Sequence, residues 1–231
     1  MAIAIANEAS TTHYNAGGGD LSFSVAMTSS GTGRVMVVVL SQSGQDNLIS
    51  PVAPASVKFN GVSLTQFDIR NEGFQAMMIY YLLTPDSVTD SIVVDISNNN
   101  LKFNRWTLHA LQFSDADDSG LGATQQGTSV QGPATHIDVI LNRVAAEGYI
   151  VAAVTWPSND PTSLTPAGVQ DLELSGADIN WSPNAAYHHF TDGPGNETLS
   201  FNYATNKTTT AMGIEIKGVV SAAGNALFMM T

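Results

Sequence analysis

Apolar and polar residues alternate along several short segments of the chain. Residues 21–27 are LSFSVAM, residues 198–203 are TLSFNY and residues 212–217 are MGIEIK. Successive side chains of a β-strand point to opposite faces, so the apolar residues of each segment share one face. The pattern predicts three strands that are buried on one face and solvated on the other.

Three other segments are apolar at nearly every position. They are residues 35–40 (VMVVVL), 76–83 (AMMIYYLL) and 149–154 (YIVAAV). Each is shorter than a typical helix and rich in β-branched or aromatic residues. We therefore predict central strands that are covered on both faces.

Turn-forming residues separate these segments at the spacing of an all-β fold. The strongest hairpin signal is Asn60-Gly61 between apolar neighbours, because this dipeptide tolerates the two positive φ angles of a type I′ turn. Residues 102–113 fit a bent strand or a short helix about equally, and the surrounding strands favour a strand. With no repeat and no composition break, the pattern predicts one all-β domain over residues 1–231, an antiparallel two-sheet β-sandwich.

Composition excludes several classes of protein. Only 12% of the 231 residues are charged, and twenty Asp and Glu against eight Lys and Arg give a net charge of −12. Such a chain repels a phosphate backbone, so nucleic acid is not an expected partner. No apolar run approaches the ~18 residues of a membrane-spanning helix, so no membrane partner is expected either. The absence of Cys excludes disulfides, thiolate zinc sites and cysteine nucleophiles.

The densest acidic cluster contains Asp115, Asp117 and Asp118. The DxDxSG spacing of residues 115–120 is that of the start of a calcium-binding loop, which usually has a bidentate acid at its twelfth position. That position is Gln126 here. The sequence favours an acidic solvated turn, with a calcium site as the alternative.

Motifs for catalysis or metal binding are missing from the sequence. His188 and His189 are adjacent, so in a strand their side chains point to opposite faces, and there is no HExxH motif. There is also no GxSxG nucleophile elbow, and Gly31-Thr32-Gly33 lacks the third glycine of a phosphate-binding loop. We expect a protein that is not an enzyme, with no catalytic residues, no metal and no cofactor.

Four aromatic residues of the second half, Trp156, Trp181, Tyr187 and Phe190, lie in or beside predicted loops. Flat rings at the rim of a sandwich can stack on sugars, which makes a glycan a possible partner. The alternative is that they fill cores or interfaces, as large aromatic side chains usually do.

We do not expect the N-terminal residues to be a secretory signal. Residues 1–10 (MAIAIANEAS) contain neither a basic region nor an apolar stretch of the required length. A polar, weakly charged surface without an export signal suits a protein that leaves the cell by lysis, as virion proteins do. The alternative is a mature form from which a signal has been removed.

The order of several segments resembles a β-sandwich domain of phage virion proteins and bacterial surface proteins. In the first half these segments are residues 34–39 (RVMVVV), 57–65 (VKFNGVSLT), 79–85 (IYYLLTP) and 91–97 (SIVVDIS). In the second half they are residues 111–114 (LQFS), 147–153 (EGYIVAA) and 211–217 (AMGIEIK).

This resemblance covers residues 34–217 and departs from the family pattern at residues 114–118 (SDADD). It implies a jelly-roll-like sandwich used as an attachment or decoration module, with no catalytic residues to transfer. We expect a structural virion protein of a phage, a capsid decoration or head/tail accessory subunit that is assembled in the host cytoplasm. The alternative function is a surface adhesin or carbohydrate-binding module.

The two ends of the chain are predicted to be short arms, residues 1–19 and 218–231, around a core at about residues 20–217. Each arm carries apolar residues that would serve in assembly with itself or with other virion proteins. The alternative is that the arms pack on their own domain. The candidate assembly residues are Ile3, Ile5, Leu227, Phe228, Met229 and Met230.

Overall fold

A computed structural model describes residues 2–15, 20–44, 53–72, 75–97, 104–155, 163–172 and 184–219. Every regular element in these ranges is a β-strand, which confirms the predicted all-β class. The same ranges contain no helix with the length and hydropathy to cross a membrane. The strands are β1 (Ala4–Asn15), β2 (Leu21–Thr28), β3 (Val35–Gly44), β4 (Ser56–Phe59), β5 (Val62–Ser63), β6 (Thr65–Glu72), β7 (Gln75–Leu83), β8 (Thr89–Ile96), β9 (Asn104–Ser114), β10 (Thr124–Arg143), β11 (Gly148–Thr155), β12 (Ser163–Thr165), β13 (Gln170–Leu172), β14 (Asn184–Phe190) and β15 (Gly195–Lys217).

These strands form three antiparallel sheets. The middle sheet has the order β1-β9-β3-β7-β6 and the front sheet has the order β2-β8-β4-β5. The rear sheet has the order β10-β15-β11-β14-β13, with β12 also paired to β15. From β1 to β9 the chain passes repeatedly between the middle and front sheets, which together form an antiparallel β-sandwich.

The middle sheet is buried on both faces. On β3, Met36 and Val38 pack toward the front sheet, whereas Val37 and Val39 pack toward the rear sheet. Residues 76–80 of β7 alternate in the same way, and none of these side chains is more than 4% exposed. The segments without a polar face are therefore the central strands that the sequence predicts.

The segment that fitted a strand or a helix equally well is strand β9, which pairs with both β1 and β3. Trp106 and Leu108 face the front sheet, and Leu111 and Phe113 face the rear sheet. Its apolar residues resemble a helical pattern only because both faces of the strand are buried.

The rear sheet folds back on itself and encloses a third core. The pairing of β10 with β15 contains register shifts within residues 125–136. Beyond these shifts, Val139 and Phe201 pack over Ile150 and Ala152 of β11. The predicted two-sheet sandwich therefore describes the front and middle sheets, and the rear sheet adds a folded pair of layers behind them.

The Asn60-Gly61 hairpin is present as predicted. Phe59 pairs with Val62, and the two turn residues have φ angles of 48° and 72°. Positive φ at both central positions defines a type I′ turn.

The loop before β3 packs closely against the turn that follows β9. The Ala116 amide donates to the Gly33 carbonyl at 2.8 Å, and the Asp115 amide donates to the Thr32 carbonyl at 2.6 Å. Gly33 has a φ of 51°, and a Cβ at this position would collide with the carbonyl oxygen of Ala116. The backbones of Gly33 and Ala116 are in direct contact, so only glycine fits at position 33.

Replacing Gly33 with alanine should destabilise the protein more than the same replacement at Gly61. Both glycines have positive φ, which costs an alanine about 1–2 kcal/mol, but a Cβ at Gly61 has no atom within 4 Å. The added collision at Gly33 should bring its loss to about 3 kcal/mol or more. Urea denaturation of the two variants measures the difference, and equal losses would contradict the close packing at Gly33.

Candidate functional site

The N-terminal candidate residues lie within the fold of the chain itself. Residues 4–15 form strand β1 of the middle sheet and are therefore not a detached arm. Ile3 is 2% exposed in the core between the middle and rear sheets, and Ile5 packs against the same core. Packing on their own domain, the alternative considered for the arms, thus describes these two residues.

The C-terminal candidates, Leu227, Phe228, Met229 and Met230, lie outside the described residues. Near the end of the described chain, Gly218 bridges to Ala116 in the turn after β9. The Gly218 amide also donates to the carbonyl of Glu147, in the turn before β11, at 2.8 Å. A Cβ at Gly218 would lie 3.2 Å from Ile3. The beginning and the end of the described chain therefore meet, and the role of the C-terminal residues in assembly stays a prediction.

The acidic turn joins the middle and rear sheets. The Thr32 hydroxyl donates to the Asp115 carboxylate at 2.8 Å, and the Val219 amide donates to the Asp115 carbonyl at 3.1 Å. Asp117 forms an ion pair with Lys217 of β15 at 2.8 Å and accepts hydrogen bonds from the amide and hydroxyl of Ser119. Two of the three clustered aspartates therefore make structural contacts.

These contacts perturb the Asp117 carboxyl. The hydrogen bond from Lys217, followed by that from Ser119, lowers its pKa from 3.8 to about 2. Asp118 lies beside them with a partly exposed side chain. Among the described residues no three His, Asp or Glu side chains converge as metal ligands would.

The aromatic candidates are dispersed. Phe190 is 4% exposed and packs in the third core, and Tyr187 packs against the core between the middle and rear sheets. Trp156 and Trp181 lie outside the described residues. The two aromatics that can be placed thus help to fill cores, as in the alternative to glycan binding.

A buried carboxylate was missed by the sequence pattern. Glu215 of β15 is 0% exposed, although alternation predicts a solvated position. Its carboxylate accepts the Ala123 amide at 2.6 Å, the Ala145 amide at 2.9 Å and the Val144 amide at 3.1 Å. These amides flank both ends of β10, so one side chain fastens both ends of that strand to β15. The predicted half-buried strand at residues 212–217 is wrong at this position, because the folded-back layer covers its second face.

A buried arginine lies in the same half of the molecule. The Arg143 side chain is 4% exposed, lies 4.3 Å over the Phe190 ring and pairs with the carboxylates of Asp192 and Glu197. Its hydrogen bond to Asp192 raises the pKa of Arg143 and lowers that of Asp192. The charge of Arg143 also interacts with Glu215. Both buried charges thus have partners of opposite sign.

One cluster is partly open to solvent at the edge of the core between the middle and rear sheets. The Tyr149 ring stacks on His189 at 4.6 Å and lies 6.1 Å from Tyr187. His189 also contacts Glu147 at 3.3 Å. With Glu8 of β1, whose charge acts on Tyr187, these residues form what we call the aromatic rim: Glu8, Glu147, Tyr149, Tyr187 and His189.

Burial raises the pKa of both rim tyrosines, and the neighbouring carboxylates raise it further. The backbone of Ile5 acts in the opposite direction and lowers the pKa of Tyr149. No motif indicates this cluster, because its members come from β1, β11, β14 and the turn before β11. Only two pairs are close in sequence, Glu147 with Tyr149 and Tyr187 with His189. The rim brings aromatic and charged side chains together at a surface that is partly open to solvent.

Comparison of the chain with protein-family models, with curated proteins and with solved structures finds no match.

Replacing Glu215 with glutamine should destabilise the protein by about 2–3 kcal/mol. The variant loses charge-assisted hydrogen bonds and turns an amide NH₂ toward buried N–H donors. Glu147→Gln is the matched control, because its side chain is 32% exposed and a surface pair contributes about 0–1 kcal/mol. Guanidinium denaturation measures both, and similar losses would contradict a fastening role for Glu215.

Replacing Asp117 with asparagine should change the acid stability of the protein. Because the folded-state pKa of Asp117 is depressed, its ionisation stabilises the fold above the unfolded value of 3.8, and this contribution is lost as the pH falls toward about 2. The free energies of unfolding of wild type and Asp117→Asn should therefore converge over that interval. Denaturation at a series of pH values tests this, with Asp118→Asn as the control. A gap that stays constant with pH would show that the Asp117 ion pair is not responsible.

Proposed function

We propose that the chain is a structural subunit of a phage virion, a capsid decoration or head/tail accessory protein, rather than an enzyme. The observation that carries the proposal is the order of the segments that resemble virion and surface sandwich domains. These segments follow the strands in sequence: β3, the β4–β5 hairpin, β7, β8, β9, β11 and β15. The resemblance therefore extends along the framework of both halves of the molecule.

The arrangement of the first nine strands supports the same class. Jelly-roll sandwiches recur in viral capsid and lectin domains, where closely packed sheets provide a rigid block. Here a third sheet is added through a continuous apolar core that includes Val37, Ile79, Val151 and Ile214. A rigid block of this kind suits a structural protein that binds neighbouring subunits of a particle.

The charge of the chain agrees with a place on the outside of a particle. A net charge of −12 disfavours contact with packaged nucleic acid. Under this proposal the partners are other copies of the chain and other virion proteins, and the protein is assembled in the host cytoplasm before it is released with the virion.

A surface adhesin or carbohydrate-binding module is the second candidate. The observation that favours it is the resemblance itself, because the same sandwich domain recurs in bacterial surface proteins. Neighbouring genes separate the two candidates, since capsid and tail genes favour the first and polysaccharide-degrading enzymes favour the second.

The proposed function predicts that mass spectrometry of purified particles detects the chain at a fixed stoichiometry. Truncation after Val219 removes the C-terminal assembly residues and keeps the hydrogen bond from the Val219 amide to Asp115. The truncated protein should give an unchanged circular dichroism spectrum but should be missing from particles. Absence of the full chain from all particles would overturn the virion assignment. Normal incorporation of the truncated chain, or its failure to fold, would instead overturn only the assembly role of the C-terminal residues.

A further inference from the structure

The aromatic rim combines ring faces with carboxylates at the edge of the core between the middle and rear sheets. Tyr149 and Tyr187 pack against the core between the middle and rear sheets, while His189 is exposed and Glu147 is 32% exposed. Glu8 is exposed on β1, at the edge of the middle sheet. The rim thus has an apolar floor and acidic sides.

A β-bulge turns Glu8 toward this site. The pairing of β1 with β9 shifts between Ile5 and Asn7, after which Glu8 stands opposite Leu111. Cross-strand partners share one face of a sheet, and Leu111 belongs to the core between the middle and rear sheets. Without the shift, regular alternation would put Ile5 and Glu8 on opposite faces. With it, both lie on the face that carries the rim.

The electrostatics of the rim favour a cation. Ring faces carry partial negative charge and attract ammonium and guanidinium groups. Burial raises the pKa of both phenols, and the charges of Glu8 on Tyr187 and of Glu147 on Tyr149 raise it further. This agrees with the position of Glu8 opposite Leu111, on the face of β1 that packs toward the rear sheet. The His189 ring nitrogen lies 3.3 Å from the Glu147 carboxylate.

The ring geometry is less suited to a sugar. Sugar stacking needs a flat, open ring face, but the face of Tyr149 is covered by His189 at an interplanar angle of 22°. Tyr187 is tilted by 57° to Tyr149, so the two tyrosines form no common platform. A single cationic group needs only one ring and a nearby carboxylate, and Tyr187 with Glu8 provides both.

We propose that the aromatic rim is a docking site for a lysine or arginine side chain of a partner protein, which places its cation between the Tyr187 ring and the Glu8 carboxylate. The partner is a protein with an exposed basic segment, complementary to the charge of −12 on this chain. The inference goes beyond the proposed function and does not depend on it, since a virion subunit and an adhesin would both use such a site.

A short arginine–glycine repeat peptide serves as the probe, titrated into the full-length protein by isothermal titration calorimetry at low salt. Binding should be saturable, with one site per chain. Tyr187→Leu, which removes the ring, and Glu8→Gln, which removes the charge, should each weaken it about fivefold or more. Tyr187→Phe, which keeps the ring, should bind like wild type. Asp90→Asn is the matched control, because it removes the same charge from exposed Asp90 on β8 of the front sheet.

Equal weakening by Glu8→Gln and Asp90→Asn would show diffuse attraction to an acidic protein and would overturn the proposal. Non-saturable binding, or competition by neutral oligosaccharides that depends on Tyr187, would overturn it as well. If Tyr187→Leu fails to fold, Glu8→Gln and Tyr187→Phe decide, because Glu8 is exposed and phenylalanine keeps the packing of the ring. None of these results bears on whether the chain occurs in virions.

Discussion

The middle sheet must be covered on both faces, and the rest of the molecule follows from this requirement. Val37 and Met36 are neighbours on β3, yet each is 0% exposed because one faces the rear sheet and the other faces the front sheet. A sandwich of the front and middle sheets alone would leave the Val37 face in water, and burying each such side chain contributes about 1.5–3 kcal/mol. The rear sheet is therefore needed to cover the second face of the middle sheet.

Apolar contacts bring the sheets together, while directional contacts fix how they meet. At the junction the Ala116 amide bonds to Gly33 and Asp117 pairs with Lys217. These contacts link the loop before β3, the turn after β9 and the end of β15, and so they fix how the rear sheet meets the middle sheet. Glu215 plays the same part inside the rear half by holding both ends of β10. Burial of apolar surface favours stacking of the sheets but does not set their relative position. The polar contacts set that position.

Local pattern was enough to predict the strands but not what covers them. The Asn60-Gly61 turn and strand β3, which is apolar on both faces, depend on neighbours in sequence. Both can therefore be predicted from the sequence. The burial of Glu215 cannot be predicted in this way, because it depends on residues 70 or more positions away that fold back over it. The packing of Ile3 and Ile5 has no local signal for the same reason: an apolar terminal segment has the same sequence whether it packs on its own domain or on a neighbour. The aromatic rim joins three distant strands, so no local signal exists for it.

The distribution of charge connects the fold with what the molecule can bind. The described cations that are engaged within the chain include Arg143 with Asp192, Lys217 with Asp117, and Arg34 with the carbonyls of Gly31 and Pro85. Pairs at close range are screened less by salt than charges at long range. The internal pairs therefore hold the fold while the surplus of acidic groups dominates the field outside it. Under the docking proposal a partner brings positive charge to this surface, and ionic strength should act on association more than on folding.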